Sequence, residues 1–369
     1  MTHHIRFFLG DGFAFTKRLS NILIQKGETM KRLLVCLILS IFMSLPAFAY
    51  NEMPGKGKTV SPARATWDTG YFQEALMRRA LETLGYKVKP TKELQNSLFY
   101  KTVTLGDVDY WVNGWFPMHW AQTPKNFKKK AGIYGTVIPA GGLQGYLVSK
   151  KYAEKFNIKS IEDFKRPEVK KAFDTDGDGK ADLVACPPGW GCEGVITHHF
   201  KVYDMAPHIN PIKAAYAASM AEALAKHKKG KPVFYYTWAP NWTLFKLVPG
   251  KDVVWINVPK ILPKPSQEAG KDFMTVTGLE GAVSSPTKMG FVVSDINIVA
   301  NKKFMDKNPE LKAFFAAFKL PLSDINEQNT KMKDGEKSQA DINRHVDQWI
   351  AKNKKQWNDW LELARTAAE

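Results

Sequence analysis

The chain has 369 residues, 44% of them hydrophobic, with a formal net charge of +17 and only three cysteines, enough material for one large or two medium α/β domains. Such a charge would suit nucleic acid or an anionic membrane surface. The lysines, however, are dispersed among acidic residues with no arginine-rich stripe, so nucleic acid is excluded as a partner and a solvated basic surface is expected.

From Met30 the sequence reads MKRLLVCLILSIFMSLPAFAY. A basic start (Lys31, Arg32) leads into an apolar run from Leu33 to Leu45, closed by Ala47-Phe48-Ala49. This is the pattern of a secretory signal peptide over 30–49, cleaved after Ala49. The run is short for a membrane anchor, and Cys36 lies mid-run rather than at the lipoprotein cleavage position. Residues 1–29 have no place in the signal and read as an upstream extension from a start assigned too early. The first 49 residues hold six Lys/Arg and two Asp/Glu, so +13 remains on the exported part. That part keeps two cysteines, Cys186 and Cys192. An even pair in an oxidising compartment favours a disulfide. Five residues intervene, so no Cys-x-x-Cys redox motif is present. A zinc site would have to recruit His198 and His199, which point about 100° apart on a helix.

After the signal, GKTVSPARATW reads as a short strand. TGYFQEALMRRALETLGYKV follows as an amphipathic helix, with Phe72, Leu76, Ala80 and Leu84 on one stripe and Gly85 at its C-terminus. KVKP begins a second strand and DVDYWVNGW is a third, an alternation that predicts a parallel sheet covered by helices. GLQGYLVSKKYAEKF and SIEDFKRPEVKKAF open a second set of units. KPVFYYTWAP and KDVVWINVP read as buried strands, and GFVVSDINIVANKKFMDKNPELKAFFAAF as a strand followed by a helix. The C-terminal QADINRHVDQWIAKNKKQWNDWLELA is expected as one long helix, burying Ile342, Val346, Trp349, Ile350, Trp357 and Trp360 or Leu361. Two α/β sets in about 320 residues fit two lobes. Crossovers near Gly141-Gly142 and Met289-Gly290 divide the chain into lobe 1 (50–142 with 291–369) and lobe 2 (143–290). The cleft between them is a favoured place for a ligand.

No Gly-x-Ser-x-Gly, His-Glu-x-x-His or phosphate loop occurs. What stands out is tryptophan at strand ends: Trp115 in NGWFPMHW, Trp190 in CPPGWGCEG and Trp238 in YYTWAPNW. Converging on a cleft, three indoles suit a quaternary ammonium, which has no N–H to donate, at roughly 0.5–2 kcal/mol per ring. The alternatives are that each is core, or that the rings stack on a sugar, for which these motifs supply few carboxylates and amides. Trp111, Trp120 and Trp242 are candidates for support behind the site, and Trp255 reads as core. GCEGVITHHFKVY reads as a helix start, whose free N–H groups at Gly191, Cys192 and Glu193 would form an anion site for a carboxylate. His119 could donate to the same group, or be a packing histidine.

NGWFPMHW, FDTDGDGKADLVACPPGWGCEG, GKPVFYYTWAPNW, GKDVVWINVP and FVVSDINIVANKKF together resemble the periplasmic glycine betaine/proline betaine-binding proteins of ProU-type ABC importers, from about Met53 to the C-terminus. The resemblance implies a two-lobed α/β periplasmic binding protein of type II that closes on its ligand and delivers it to an inner-membrane permease for osmoprotectant uptake. It implies a tryptophan box of Trp115, Trp190 and Trp238 around the trimethylammonium group. It also implies a carboxylate held by His119 and the N–H groups of Gly191 and Cys192, and a disulfide between Cys186 and Cys192. The chain is then expected to be a monomeric, non-enzymatic receptor in the periplasm. The rivals are a receptor for choline or carnitine, a secreted redox or metal enzyme using Cys186 and Cys192, and a calcium-dependent adhesion module. DTDGDGKAD resembles the first half of a calcium loop, with Asp174, Asp176, Asp178 and Asp182 as candidate Ca²⁺ ligands. The twelfth position is Ala185, which leaves an Asx/Gly-rich turn as the alternative; no other cofactor is expected.

Overall fold

The computed structural model describes residues 51–368. The upstream extension, the signal peptide and its cleavage point lie outside the described residues. Among the described residues are thirteen strands: β1 Thr59–Val60, β2 Ala63–Arg64, β3 Lys87–Val88, β4 Lys92–Glu93, β5 Tyr110–Phe116, β6 Ala131–Ser149, β7 Ala181–Val184, β8 Ile209–Ile212, β9 Phe234–Ala239, β10 Val253–Ile256, β11 Thr275–Val276, β12 Thr287–Lys288 and β13 Ser294–Asn301. Seven of them form one sheet in the order β5–β13–β6–β9–β7–β8, with β10 also on β6.

Helix Thr69–Thr83 forms as its apolar stripe predicts, burying Phe72, Leu76 and Ala80. Its end is a Schellman motif: Tyr86 N–H returns to Leu81 O while Gly85 takes φ +90°, a conformation that a side chain would strain.

The parallel sheet expected from the β-α-β alternation is corrected. The N-terminal alternation closes only the two-residue pairs β1–β3 and β2–β4. In the large sheet β7 alone makes parallel pairs, with β8 and β9. Strand β5 is buried along all seven residues, which sequence alone cannot distinguish from a parallel strand. Its burial comes from the helix Thr69–Thr83 packed on it and from β13, which returns antiparallel from far along the chain.

Strand β6 is 19 residues long and changes partners midway. Residues 131–142 pair with β13, and residues 143–149 pair with β9 and β10. At the change-over, a Cβ on Gly142 would lie 2.7 Å from the Trp115 ring, so glycine lets the strand pass directly beneath that indole.

The expected single C-terminal helix is two, Gln339–Lys352 and Lys354–Thr366, broken at Asn353. Asparagine is a weak helix former that bonds to its own backbone, and Asn353 Nδ2 donates to Trp349 O at 2.9 Å. The break folds Trp360 back onto Trp349, stacked at 5.5 Å and 13°, and against Phe318 at 4.7 Å. These tryptophans and Trp255 are core. Trp360→Ala should therefore cost about 3–5 kcal/mol of stability, read as a lower urea midpoint, with ligand affinity unchanged.

Candidate functional site

Along β5 the side chains of Trp111, Asn113 and Trp115 share one face, which places an amide beside an indole. Asn113 Oδ1 accepts from the indole N–H of Trp115 at 2.8 Å and from that of Trp67 at 2.9 Å, while Asn113 Nδ2 donates to Gln73 Oε1. Trp190 Nε1 donates to Thr66 Oγ1 at 2.9 Å, and Trp238 Nε1 to Thr69 Oγ1 at 3.4 Å. Each of these four indoles has its N–H committed to protein. What remains to face the cavity is ring, with its negative quadrupole.

The cavity is lined by Trp67, Asn96, Trp115, Met118, His119, Gln144, Trp190, Gly191, Cys192, Tyr236 and Trp238. Trp190 stands 5.4 Å from Trp67 and 5.4 Å from Trp238, steeply inclined to both. The structure thus brings together all six residues expected to bind ligand, and adds Trp67. Its setting, RATWDTG at a strand end before a helix, carries the same signal as the other three. Trp111, Trp120 and Trp242 lie outside the lining. Trp111 packs on Trp67 and Phe99, Trp120 on Phe116, and Trp242 lies under Lys333 Nζ.

Cys186 and Cys192 are disulfide-bonded, with Cα atoms 5.9 Å apart. The bridge sets Trp190 as the cap of helix Gly191–Val202. The N–H groups of Gly191 and Cys192 have no acceptor among the described residues, whereas Glu193 N–H is used on Trp190 O at 3.3 Å, so two of the three expected anion donors are free. A Cβ on Gly191 would approach His119 Cδ2 to 3.2 Å and Met118 Cε to 3.0 Å; its bare backbone lets the helix end seat against the turn Met118–Gln122.

His119 is wholly buried, and desolvation holds its pKa down at about 3, so the ring is neutral at physiological pH. Its Nδ1 receives the Trp115 backbone N–H at 3.1 Å and lies 2.7 Å from Tyr100 Oη. A backbone N–H can only donate, so Nδ1 carries the lone pair and Nε2 the proton. Among the described residues no Asp, Glu, Lys or Arg lines the cavity. Such a site suits a ligand whose own charges cancel: rings for a cation at one end, neutral N–H donors for an anion at the other.

The Asp-rich loop lies apart from this site. Asp174, Asp176 and Asp182 offer carboxylate oxygens within 4.8 Å of one another, and Asp178 stands outside the group. The carboxylates close a turn. Asp174 accepts from Gly177 N–H and Gly179 N–H, and Asp182 from Thr175 N–H. His198 bonds Leu262 O, while His199 bonds Gly290 O and lies 3.0 Å from Tyr146 Oη, so neither histidine turns towards the sulfurs.

The family described as the substrate binding domain of ABC-type glycine betaine transport systems matches residues 58–352. The glycine betaine-binding periplasmic protein of Dickeya dadantii is 40% identical over 90% of this chain and 98% of its own length. The glycine betaine/proline betaine-binding periplasmic protein of Escherichia coli is 40% identical over 86% and 93%. Among solved structures, lactococcal OpuAC complexed with glycine betaine aligns with a TM-score of 0.60 at 20% identity, covering 82% of this chain and 99% of its own. A choline-binding protein in complex with choline gives 0.62 at 16% identity, covering 84% and 98%. At those identities the two structures establish the fold.

Burial of both His119 and His199 at about pKa 3, against 6.5 for an ordinary histidine, sets the sign of a pH effect. The unfolded chain takes up protons below 6.5 that the folded chain refuses. Stability should therefore be full above pH 6.5 and fall as pH drops towards 3, by up to about 1.4 kcal/mol per pH unit per histidine. His199→Gln, away from the cavity, should make that slope shallower by up to this amount in urea unfolding between pH 6 and 4. An unchanged slope would show that His199 is protonated in the fold.

Proposed function

The chain belongs to the family of substrate-binding domains of ABC-type glycine betaine transport systems, and from that premise we propose that its cavity holds glycine betaine or proline betaine end to end. Trp115, Trp190 and Trp238 take the methylated ammonium, with Trp67 as a fourth wall. The N–H groups of Gly191 and Cys192 and the Nε2–H of His119 take the carboxylate. The observation that carries this reading is the juxtaposition of rings with committed N–H groups and unspent backbone N–H groups in one cavity free of charged side chains. It favours a betaine over choline, which offers the anion end no carboxylate.

The lobes we propose are 50–142 with 291–369, and 143–290, joined at the change of partners in β6 and near Gly290. Thr66 and Thr69 then belong to one lobe while Trp190 and Trp238, which bond to them, belong to the other. Ligand contacts to both lobes shift the population towards closure. A non-enzymatic role is supported by His119, whose single lone pair is spent on Trp115 N–H and is not free to act as a base. The protein would work as a periplasmic monomer beginning at Tyr50, delivering ligand to an inner-membrane permease. N-terminal sequencing of the exported form checks the cleavage point.

Calorimetric titration tests the site. Each of Trp115→Ala, Trp190→Ala and Trp238→Ala should weaken glycine betaine between about twofold and thirtyfold, the range that 0.5–2 kcal/mol per ring allows. Choline should bind more weakly than betaine to the unaltered chain. Betaine affinity should stay flat between pH 8 and 5.5, because His119 does not titrate there. Normal binding by all three variants would sink the aromatic box, and equal affinity for choline the carboxylate cradle.

A further inference from the structure

Asn96 opens the helix Asn96–Leu105, is fully buried, and lines the cavity beside His119. One end of its amide, placed as Nδ2, lies 2.9 Å from His119 Nε2 and 2.9 Å from Gln122 Oε1; the other, Oδ1, is buried without a partner. The protons around His119 demand the opposite orientation. Since Trp115 N–H donates to Nδ1, the proton of the neutral ring sits on Nε2, and an N–H cannot face an NH₂ at hydrogen-bond distance. The two ends of an amide are distinguished by their partners. Oδ1 therefore faces His119, accepting from Nε2–H. Gln122 turns with it so that its own Nε2 donates to Asn96 Oδ1, which replaces the 3.4 Å hydrogen bond to Gly189 O with an oxygen facing that carbonyl. That leaves the Asn96 NH₂ as the buried group without a protein acceptor.

We infer that Asn96 is a specificity-determining residue, whose NH₂ donates to the ligand carboxylate next to the Nε2–H that His119 shares between Asn96 Oδ1 and that carboxylate. The inference rests on the betaine reading of the cavity. The other lining side chains with hydrogen-bonding atoms are already occupied: Gln144 Oε1 accepts from Tyr236 Oη, Gln144 Nε2 faces Met118 Sδ, and the indole N–H groups are committed. A buried donor with no acceptor is a standing penalty. A ligand with a carboxylate relieves it, and a ligand of the same cation without one does not. Asn96 thus adds discrimination between betaine and choline beyond the two backbone N–H groups.

The test uses the whole exported chain and titrates glycine betaine and choline into the parent, Asn96→Asp and Asn96→Leu. Aspartate keeps an acceptor towards His119 but replaces the donor with an oxygen that repels a carboxylate. Betaine affinity of Asn96→Asp should fall about a hundredfold at pH 8, choline affinity should hold or rise, and betaine binding should recover about tenfold by pH 5 as the new carboxyl protonates. Asn96→Leu, of similar volume, should lose about tenfold for betaine, without recovery at low pH. Thermal midpoints establish that each variant is folded; if the aspartate variant is not, the leucine variant's betaine-to-choline ratio decides. Parallel losses for both ligands, or betaine affinity within about threefold of the parent in both variants, would overturn the role of Asn96. Failure of the parent itself to bind betaine would overturn the reading on which it rests.

Discussion

A trimethylammonium group neither donates nor accepts a hydrogen bond, and a protein that binds it must keep every competing donor away from it. The four indoles around the cavity carry such donors. Each N–H is tied to a specific acceptor, two of them to the single oxygen of Asn113. A carbonyl oxygen has two lone pairs, so one amide fixes the tilt of Trp67 and Trp115 together. Asn113 Nδ2 is in turn held by Gln73, on the helix behind the sheet. The ring faces are available because polar groups outside the cavity have claimed the ring edges.

The same bonds couple recognition to shape. Thr66 and Thr69 flank the start of helix Thr69–Thr83, and they hold Trp190 and Trp238, which enter from the other half of the chain. Thr69 also donates to Pro240 O, and Lys246 pairs with Asp334 at 2.6 Å. The latter pair is exposed and contributes at most about 1 kcal/mol. The Thr69 bonds are buried and the Thr66 bond part-buried, and they form only when the tryptophans occupy their places. Setting Trp190 and Trp238 in place therefore also ties these separate stretches of the chain together.

The sequence displayed this site well because its groups lie where strands end in Gly, Pro and Asn, so that large side chains stand out from their context. Trp67 follows the same rule in RATWDTG, at a strand end before a helix. Asn96 could not have been found that way. An asparagine at the start of a helix is common, and its role follows only from which atom of His119 it faces across 23 residues of chain. The sheet's strand directions are hidden for a related reason: burial on both faces is visible in a strand's composition, whereas the direction of its partner is not. Helix Thr69–Thr83 was legible end to end because the periodicity and the Gly85 stop signal are both local. The C-terminal helix was not, because the apolar stripe continues past Asn353 while the stacking of Trp349 on Trp360 requires a break there.

The disulfide gains its meaning from position. Bridging residues 186 and 192 closes a loop too short for large stabilisation of the whole fold in the chain-entropy view. Locally it is the tie between β7's exit and the first turn of helix Gly191–Val202. Within that span Trp190 must be extended, at φ −84° and ψ 156°, while Gly191 is already helical. Without the tie, a Pro-Pro-Gly-Trp-Gly segment would sample many conformations, and ordering it would be charged against each binding event. With it, an aromatic wall and two free N–H groups are held in fixed relation before any ligand arrives. The spacing between that wall and those N–H groups is thus built into the covalent structure of one short loop.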